Sequence, residues 1–188
     1  MKDDQEEAFE KLLSAQLTRT VDFVKFAETK NAALLTFTSA WILGSISLVT
    51  GTASLPFGYD KAFLFALPLF GLAGITCILS FLPKLLGDFH EPENDTKSLL
   101  YWEHIAEVPV RDFAVQAEQR YKPGANQSCT KGYLEDLSVQ ISVNARIAQR
   151  KFRSFKLAAR FTLLAFLVLV LPPLWIAARF LRLFPLTD

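Results

Sequence analysis

The chain has 188 residues, 51% of them hydrophobic, and its 20 Lys and Arg almost balance 19 Asp and Glu. A formal net charge of +1 gives no global pull toward nucleic acid or an acidic partner, so the placement of charge along the chain matters more than its sum. The two cysteines, Cys77 in an apolar run and Cys129 in a polar loop, are expected to be reduced thiols, which disfavours a disulfide framework or a Cys-based metal site.

Residues 1–31 carry Asp3, Asp4, Glu6, Glu7 and Glu10 where a secretory signal would be basic, so no signal peptide is expected. Phe9, Leu12, Leu13, Leu17, Val21, Val24 and Ala27 recur at spacings of three and four, with Glu10, Arg19, Asp22 and Lys25 on other faces. No Gly or Pro interrupts the run before Gly44. One helix from about residue 5 to 50 is the economical reading. Its part within 1–31 would lie in the cytoplasm and continue into a first span at 32–50. About 20 residues at about 1.5 Å each cover a hydrocarbon core of about 30 Å, and the uncharged block from Ala32 to Val49 is just long enough.

Residues 51–61 are rich in turn formers and end in Asp60 and Lys61, which makes them an external turn. The second span, 62–83, is uncharged; Pro68, Gly71 and Gly74 are tolerable in a membrane helix that packs on a neighbour. A third span at 158–179 contains the run Leu163 to Leu171, and its Pro172-Pro173 pair should kink or loosen the last turns. A short external tail, 180–188, follows. A soluble helix with one exposed face would show polar residues every turn, and these blocks do not.

Segment 84–157, a helical lobe between spans two and three, opens with a polar loop at 88–97 in which Asp95 or Thr96 could cap a helix. Ser98 to Val108 is apolar and aromatic. Pro109 suits the first turn of a new helix in which Val110, Phe113, Ala114, Ala117 and Tyr121 share a face, and Lys122-Pro123-Gly124 ends it. After Lys131-Gly132, a stripe of Tyr133, Leu134, Leu137, Ile141, Ala145, Ala148, Phe152 and Phe155 continues into span three. The aromatics of the lobe read first as core and second as a ligand platform.

Lys and Arg placement gives the orientation. The turn at 51–61 holds only Lys61 and the tail only Arg182, after Arg179 at the end of span three. Segment 84–157 holds Lys84, Lys97, Arg111, Arg120, Lys122, Lys131, Arg146, Arg150, Lys151, Arg153 and Lys156. The N-terminus and the lobe should therefore be cytoplasmic and the C-terminus periplasmic, in a multi-pass inner-membrane protein. The basic run from Arg146 to Arg160 reads as anchoring at the lipid headgroups, with an anionic ligand as the alternative. The expected fold class is all-α: three transmembrane helices, an N-terminal hairpin plus a C-terminal span, with a small helical cytoplasmic lobe.

Catalytic patterns are missing. There is no phosphate-binding glycine loop, dinucleotide fingerprint or nucleophile elbow. His90 lies in a loop, and His104 precedes Glu107 by three residues; neither makes a convincing metal site. Asn126-Gln127-Ser128 matches a glycosylation sequon that a cytoplasmic lobe would not use. No charge lies within the span cores, which argues against a proton relay or an ion-coupled transporter. The expectation is a protein without catalytic residues, metal or cofactor, and not an enzyme.

Three stretches nevertheless resemble one family. Phe26-Ala27-Glu28-Thr29-Lys30-Asn31-Ala32-Ala33-Leu34-Leu35 is similar to the approach to the first span in the Pycsar effector transmembrane family. Leu99-Leu100-Tyr101-Trp102-Glu103-His104-Ile105-Ala106-Glu107 resembles that family's middle motif, an aromatic pair followed by Ile-Ala. Leu137 to Phe155, ending in Arg150-Lys151-Phe152-Arg153-Ser154-Phe155, resembles its basic helix leading into the last span. The resemblance implies a bacterial antiphage effector: a partner pyrimidine nucleotide cyclase makes cyclic CMP or cyclic UMP on infection, the lobe senses it, and the spans impair the inner membrane, arresting or killing the cell. A cyclic mononucleotide has one phosphate charge and a pyrimidine ring, so its site needs a cation or helix N-terminus plus an aromatic or amide partner. On that resemblance Lys30, Trp102, His104 and Arg111 are the candidate ligand residues, with interfacial snorkelling the competing role for Lys30.

The alternative is a non-enzymatic structural or assembly subunit of a membrane complex, suggested by the uncharged spans. With little polar surface to line a pore, an effector of this kind is expected to act as a homo-oligomer in the lipid bilayer. Gly44, Ser45, Ser47, Gly71, Ala73 and Gly74 are available for close helix contacts.

Overall fold

The computed structural model describes residues 2–51, 58–82, 98–125 and 127–183. Every regular element among them is a helix: α1 (Lys2–Thr50), α2 (Tyr59–Phe81), α3 (Trp102–Glu107), α4 (Val110–Tyr121) and α5 (Lys131–Leu183). α1, α2 and α5 are long and apolar enough to cross a membrane. The chain is thus an all-α integral membrane protein with three transmembrane helices. The expected loop at 88–97, His90, Asn126 and most of the turn after α1 lie outside the described residues.

The chain divides into two units, one of Met1–Phe26 with Pro83–Gln149 and one of Ala27–Leu82 with Arg150–Asp188. Two of the three boundaries, after Phe26 and after Gln149, fall inside helices, so α1 and α5 each contribute to both units without a break. α1 stays helical over 49 residues because no proline occurs in it and its first glycine is Gly44. α5 runs through Pro172 and Pro173 to Leu183, past the expected end of span three. Each proline removes one backbone donor, and neighbouring groups or local adjustment can absorb that loss in a membrane helix.

In the transmembrane unit, α2 starts after Gly58, whose φ of +82° favours glycine, and Asp60 in its first turn complements the helix dipole. Its inward face is small: Ala62, Ala66, Ala73, Gly74 and Cys77 are buried with Phe63 and Phe70. A Cβ on Gly74 would meet Leu35 Cδ1 at 3.8 Å and Thr38 Oγ1 at 4.0 Å, which shows how near the α1 side chains lie to this backbone. Large side chains such as Leu43, Leu64, Phe65, Ile75, Leu163 and Leu167 point outward, as a lipid-facing surface requires. Of the small residues expected to join copies, Ser45, Ala73 and Gly74 are buried inside the unit, whereas Gly44 and Gly71 have open space beyond them.

In the lobe unit, residues 98–101 form a turn and only Trp102–Glu107 is helical, a shorter element than the apolar run from Ser98 suggests. The Leu99 N–H is taken by the Tyr121 hydroxyl, which ties this turn to the last turn of α4. Pro109 is the N-cap of α4. The face expected of α4 is half used: Phe113, Ala117 and Tyr121 are partly buried, while Val110 is 93% exposed. α4 is anchored through its last turn, so its first turn stands clear.

Candidate functional site

The lobe is organised by one buried carboxylate. Asp136, in the second turn of α5, accepts two hydrogen bonds from the Arg120 guanidinium, at 2.8 Å from both Nε and a terminal nitrogen. The Tyr121 hydroxyl donates to the same carboxylate at 2.6 Å and accepts from the Leu99 N–H at 2.9 Å. Thr130 closes the connection between the helices: its hydroxyl donates to the Arg120 carbonyl and accepts from the Tyr133 N–H, capping α5. Such a fork-to-fork pair fixes orientation as well as charge. Its bonds to Asp136 hold the Arg120 pKa above the usual arginine value. Burial, and then the bond to Asp136, push the Tyr121 phenol up to about 12.

Around this anchor lie the aromatics of the 98–104 stretch, and they divide into core and surface. Tyr101 is buried against Val143, with Val139 and Ile147 beside them. Its ring meets His104 edge-on at 5.3 Å and Trp102 at 5.8 Å. The His104 Nδ1 lies 3.2 Å from the Ser98 carbonyl, so the tautomer protonated there donates to it. Trp102 is 64% exposed.

The four residues suggested by the resemblance are therefore only partly gathered. Trp102 and His104 share the Tyr101 ring, and Arg111 is exposed in the first turn of α4. Lys30 belongs to the transmembrane unit, where its ammonium lies 5.5 Å from the centre of the Phe155 ring, a cation–π contact.

In the transmembrane unit a second polar group ties three helices together. Lys151 of α5, with a side chain only 12% exposed, contacts Glu28 Oε1 of α1 at 2.9 Å and donates to the Ser80 carbonyl of α2 at 3.0 Å. Asn31 Nδ2 donates to the Ala27 carbonyl at 2.8 Å and the Lys151 carbonyl at 3.2 Å. Its Oδ1 has no partner, nor has the buried Ser80 Oγ. Elsewhere in this unit the core is aromatic: Trp41 stacks on Phe70 at 5.9 Å, and Phe166 meets Trp41 edge-on at 4.9 Å and Phe70 at 5.4 Å.

Sequence reasoning singled out neither the Arg120–Tyr121–Asp136 cluster nor the Lys151 tie. A signal was present for each. Asp136 follows Tyr133 by three residues and so shares a helix face with the start of the apolar stripe, where a carboxylate needs a partner. Asn31 heads a series of polar residues, Asn31, Thr38 and Ser45, seven apart on the first span.

Residues 12–178 match the family described as Pycsar effector protein domain. The chain is 40% identical over 167 residues to the Pycsar effector protein RsPycTM of a Rhizobium species, an alignment covering 89% of this chain and 95% of that protein. No solved structure matches the chain.

Proposed function

The chain belongs to the Pycsar effector family of antiphage transmembrane effectors, and on that premise we propose that its lobe senses cyclic CMP or cyclic UMP made by a partner cyclase and that its spans then impair the inner membrane. The observation that carries this reading is the continuity of α1 and α5, each one helix shared by the lobe unit and the transmembrane unit. A ligand that changes the register or tilt of either helix in one unit acts on a helix that also belongs to the other. In this reading the N-terminus and lobe are cytoplasmic, the C-terminus is periplasmic, and the active form is a homo-oligomer.

Trp102 offers an exposed ring for stacking a pyrimidine, Arg111 a fork for the cyclic phosphate, and His104, with its Nδ1–H on the Ser98 carbonyl, an Nε2 acceptor for a base N–H. Lys30, over Phe155 in the other unit, is an anchor at the membrane interface before it is a ligand group.

Titration calorimetry on the full chain in nanodiscs, with cyclic CMP and cyclic UMP in turn, tests the sensing. Arg111→Ala is expected to weaken binding by about tenfold or more, the equivalent of one charge-assisted hydrogen bond. Dye uptake in cells carrying the chain with its cyclase tests the outcome. If neither nucleotide binds and the membrane stays sealed on cyclase induction, the reading is wrong; binding to a larger membrane complex without a nucleotide response would favour an assembly subunit.

A further inference from the structure

Hydroxyls on the outer side of the transmembrane unit are self-contained. Thr36, Thr50 and Thr76 each donate to the carbonyl four residues back, at 3.1, 2.8 and 2.7 Å, and so ask nothing of their surroundings. On the inner face of α1 only part of the polar set is satisfied in this way: the buried Thr38 hydroxyl donates to the Leu34 and Leu35 carbonyls at 2.9 and 3.0 Å. Asn31, Thr38 and Ser45 recur at a seven-residue interval and all three are buried to 1% exposure or less. Asn31 Oδ1 and Ser45 Oγ have no partner, although a helical serine readily donates to the preceding turn. At about 1.5 Å per residue the series covers about 21 Å, most of a hydrocarbon core of about 30 Å. The two unpartnered atoms, at the two ends of this line, are groups that water satisfies when it gains access.

Aromatic side chains interrupt the line. Trp41, between Thr38 and Ser45 in sequence, packs with Phe70 and Phe166, and Phe37 lies 5.8 Å from Phe166. An apolar constriction of this kind excludes water without needing a charge. At the other end of the series, Asn31 donates to the Lys151 carbonyl.

We propose that the α1 face bearing Asn31, Thr38 and Ser45 is the water-lined wall of the path that opens on activation, with the Trp41–Phe70–Phe166 cluster as the constriction that keeps it dry at rest. This rests on the reading that the spans permeabilise the membrane, and it names the surface that does so. The wall carries amide and hydroxyl groups and no ionisable side chain, so the path passes small hydrophilic solutes and ions of either sign with little charge selection. Opening requires α1 to turn or withdraw from α2 and α5, because at rest this face is covered by them.

Thiol accessibility tests the proposal. In the full chain with Cys77→Ala and Cys129→Ala, single changes Thr38→Cys and Ser45→Cys are compared with the outward-facing Leu43→Cys and Ile46→Cys. Cells are treated with a charged, membrane-impermeant methanethiosulfonate before and after cyclase induction, and dye uptake is followed. The expected result is modification at 38 and 45 only after induction, with loss of dye uptake, and no effect at 43 or 46. Uptake that proceeds while 38 and 45 stay unmodified places the path elsewhere and overturns the proposal, leaving the effector reading intact. Equal modification before and after induction shows a crevice already hydrated at rest and also overturns it. Absence of dye uptake in the native chain on induction removes the effector reading, and the proposal with it; should only the cysteine-free parent lose uptake, the same comparison is made with the buried Cys77 retained.

Discussion

Asp136→Ala is the most informative single change in the lobe. It removes the acceptor of three hydrogen bonds at 2.6–2.8 Å, leaving the Arg120 guanidinium and the Tyr121 hydroxyl without it. Breaking a buried pair by deleting one partner costs about 3–5 kcal/mol. Arg120 retains 23% side-chain exposure and recovers some hydration, so about 3 kcal/mol is expected here. Each 1.4 kcal/mol is about a factor of ten, so amide hydrogen exchange in the last turn of α4 and the first turns of α5 should accelerate by about two orders of magnitude. Asp136→Asn keeps an acceptor and should fall between. Glu118→Ala, which removes the exposed ion pair with Lys122, should change exchange by a factor of about two or less. If Asp136→Ala and Glu118→Ala behave alike, the buried carboxylate does not hold α4 to α5 and the reasoning fails.

Three further outcomes are expected. Lys151→Met keeps the side-chain stem but deletes the cation joining Glu28 to the Ser80 carbonyl, a loss of about 1–3 kcal/mol, and basal dye uptake should rise without any cyclase; an unchanged, tight membrane would show that this tie does not keep the bundle closed. Tyr121 ionises at about 12 when folded against an ordinary value near 10, so the folded lobe holds that proton more tightly than the unfolded chain does. Its contribution to stability is complete below pH 10 and falls as the pH rises toward 12; the phenolate absorbance difference between the parent and Tyr121→Phe measures it, and a difference titrating near 10 would contradict the buried geometry. Gly74→Leu should destabilise the bundle by about 1–3 kcal/mol through overpacking against Leu35 and Thr38, whereas Gly44→Leu, facing open space, should leave the protomer intact and reduce crosslinking between copies.

Three spans could be read directly from the chain because hydropathy adds along it. A run of some 20 uncharged residues has one low-energy home whatever its neighbours do, since helix formation satisfies its backbone locally. The continuity of α1 and α5 across the two units was legible for a related reason: the absence of Gly and Pro from residues 5–43 and 133–171 is a local property, and the stripes of Leu17 to Ala27 and of Leu137 to Ala148 keep one period there. The family could be read as well, from short stretches in order.

What each polar side chain faces was decided only by the tertiary structure. Arg120 and Asp136 are 16 residues apart, Lys151 and the Ser80 carbonyl 71, and Asn31 and the Lys151 carbonyl 120. No periodicity along one helix specifies which of its faces meets which partner, because that choice depends on how side chains from several helices fill the same space. Tyr101 and Trp102 are adjacent and chemically alike, yet one is core and the other stands in solvent. Asn31, Thr38 and Ser45 stand on the first span as plainly as its leucines do. Only the packing of α2 and α5 against α1 turns them inward, where burial leaves Asn31 Oδ1 and Ser45 Oγ unpartnered at a cost.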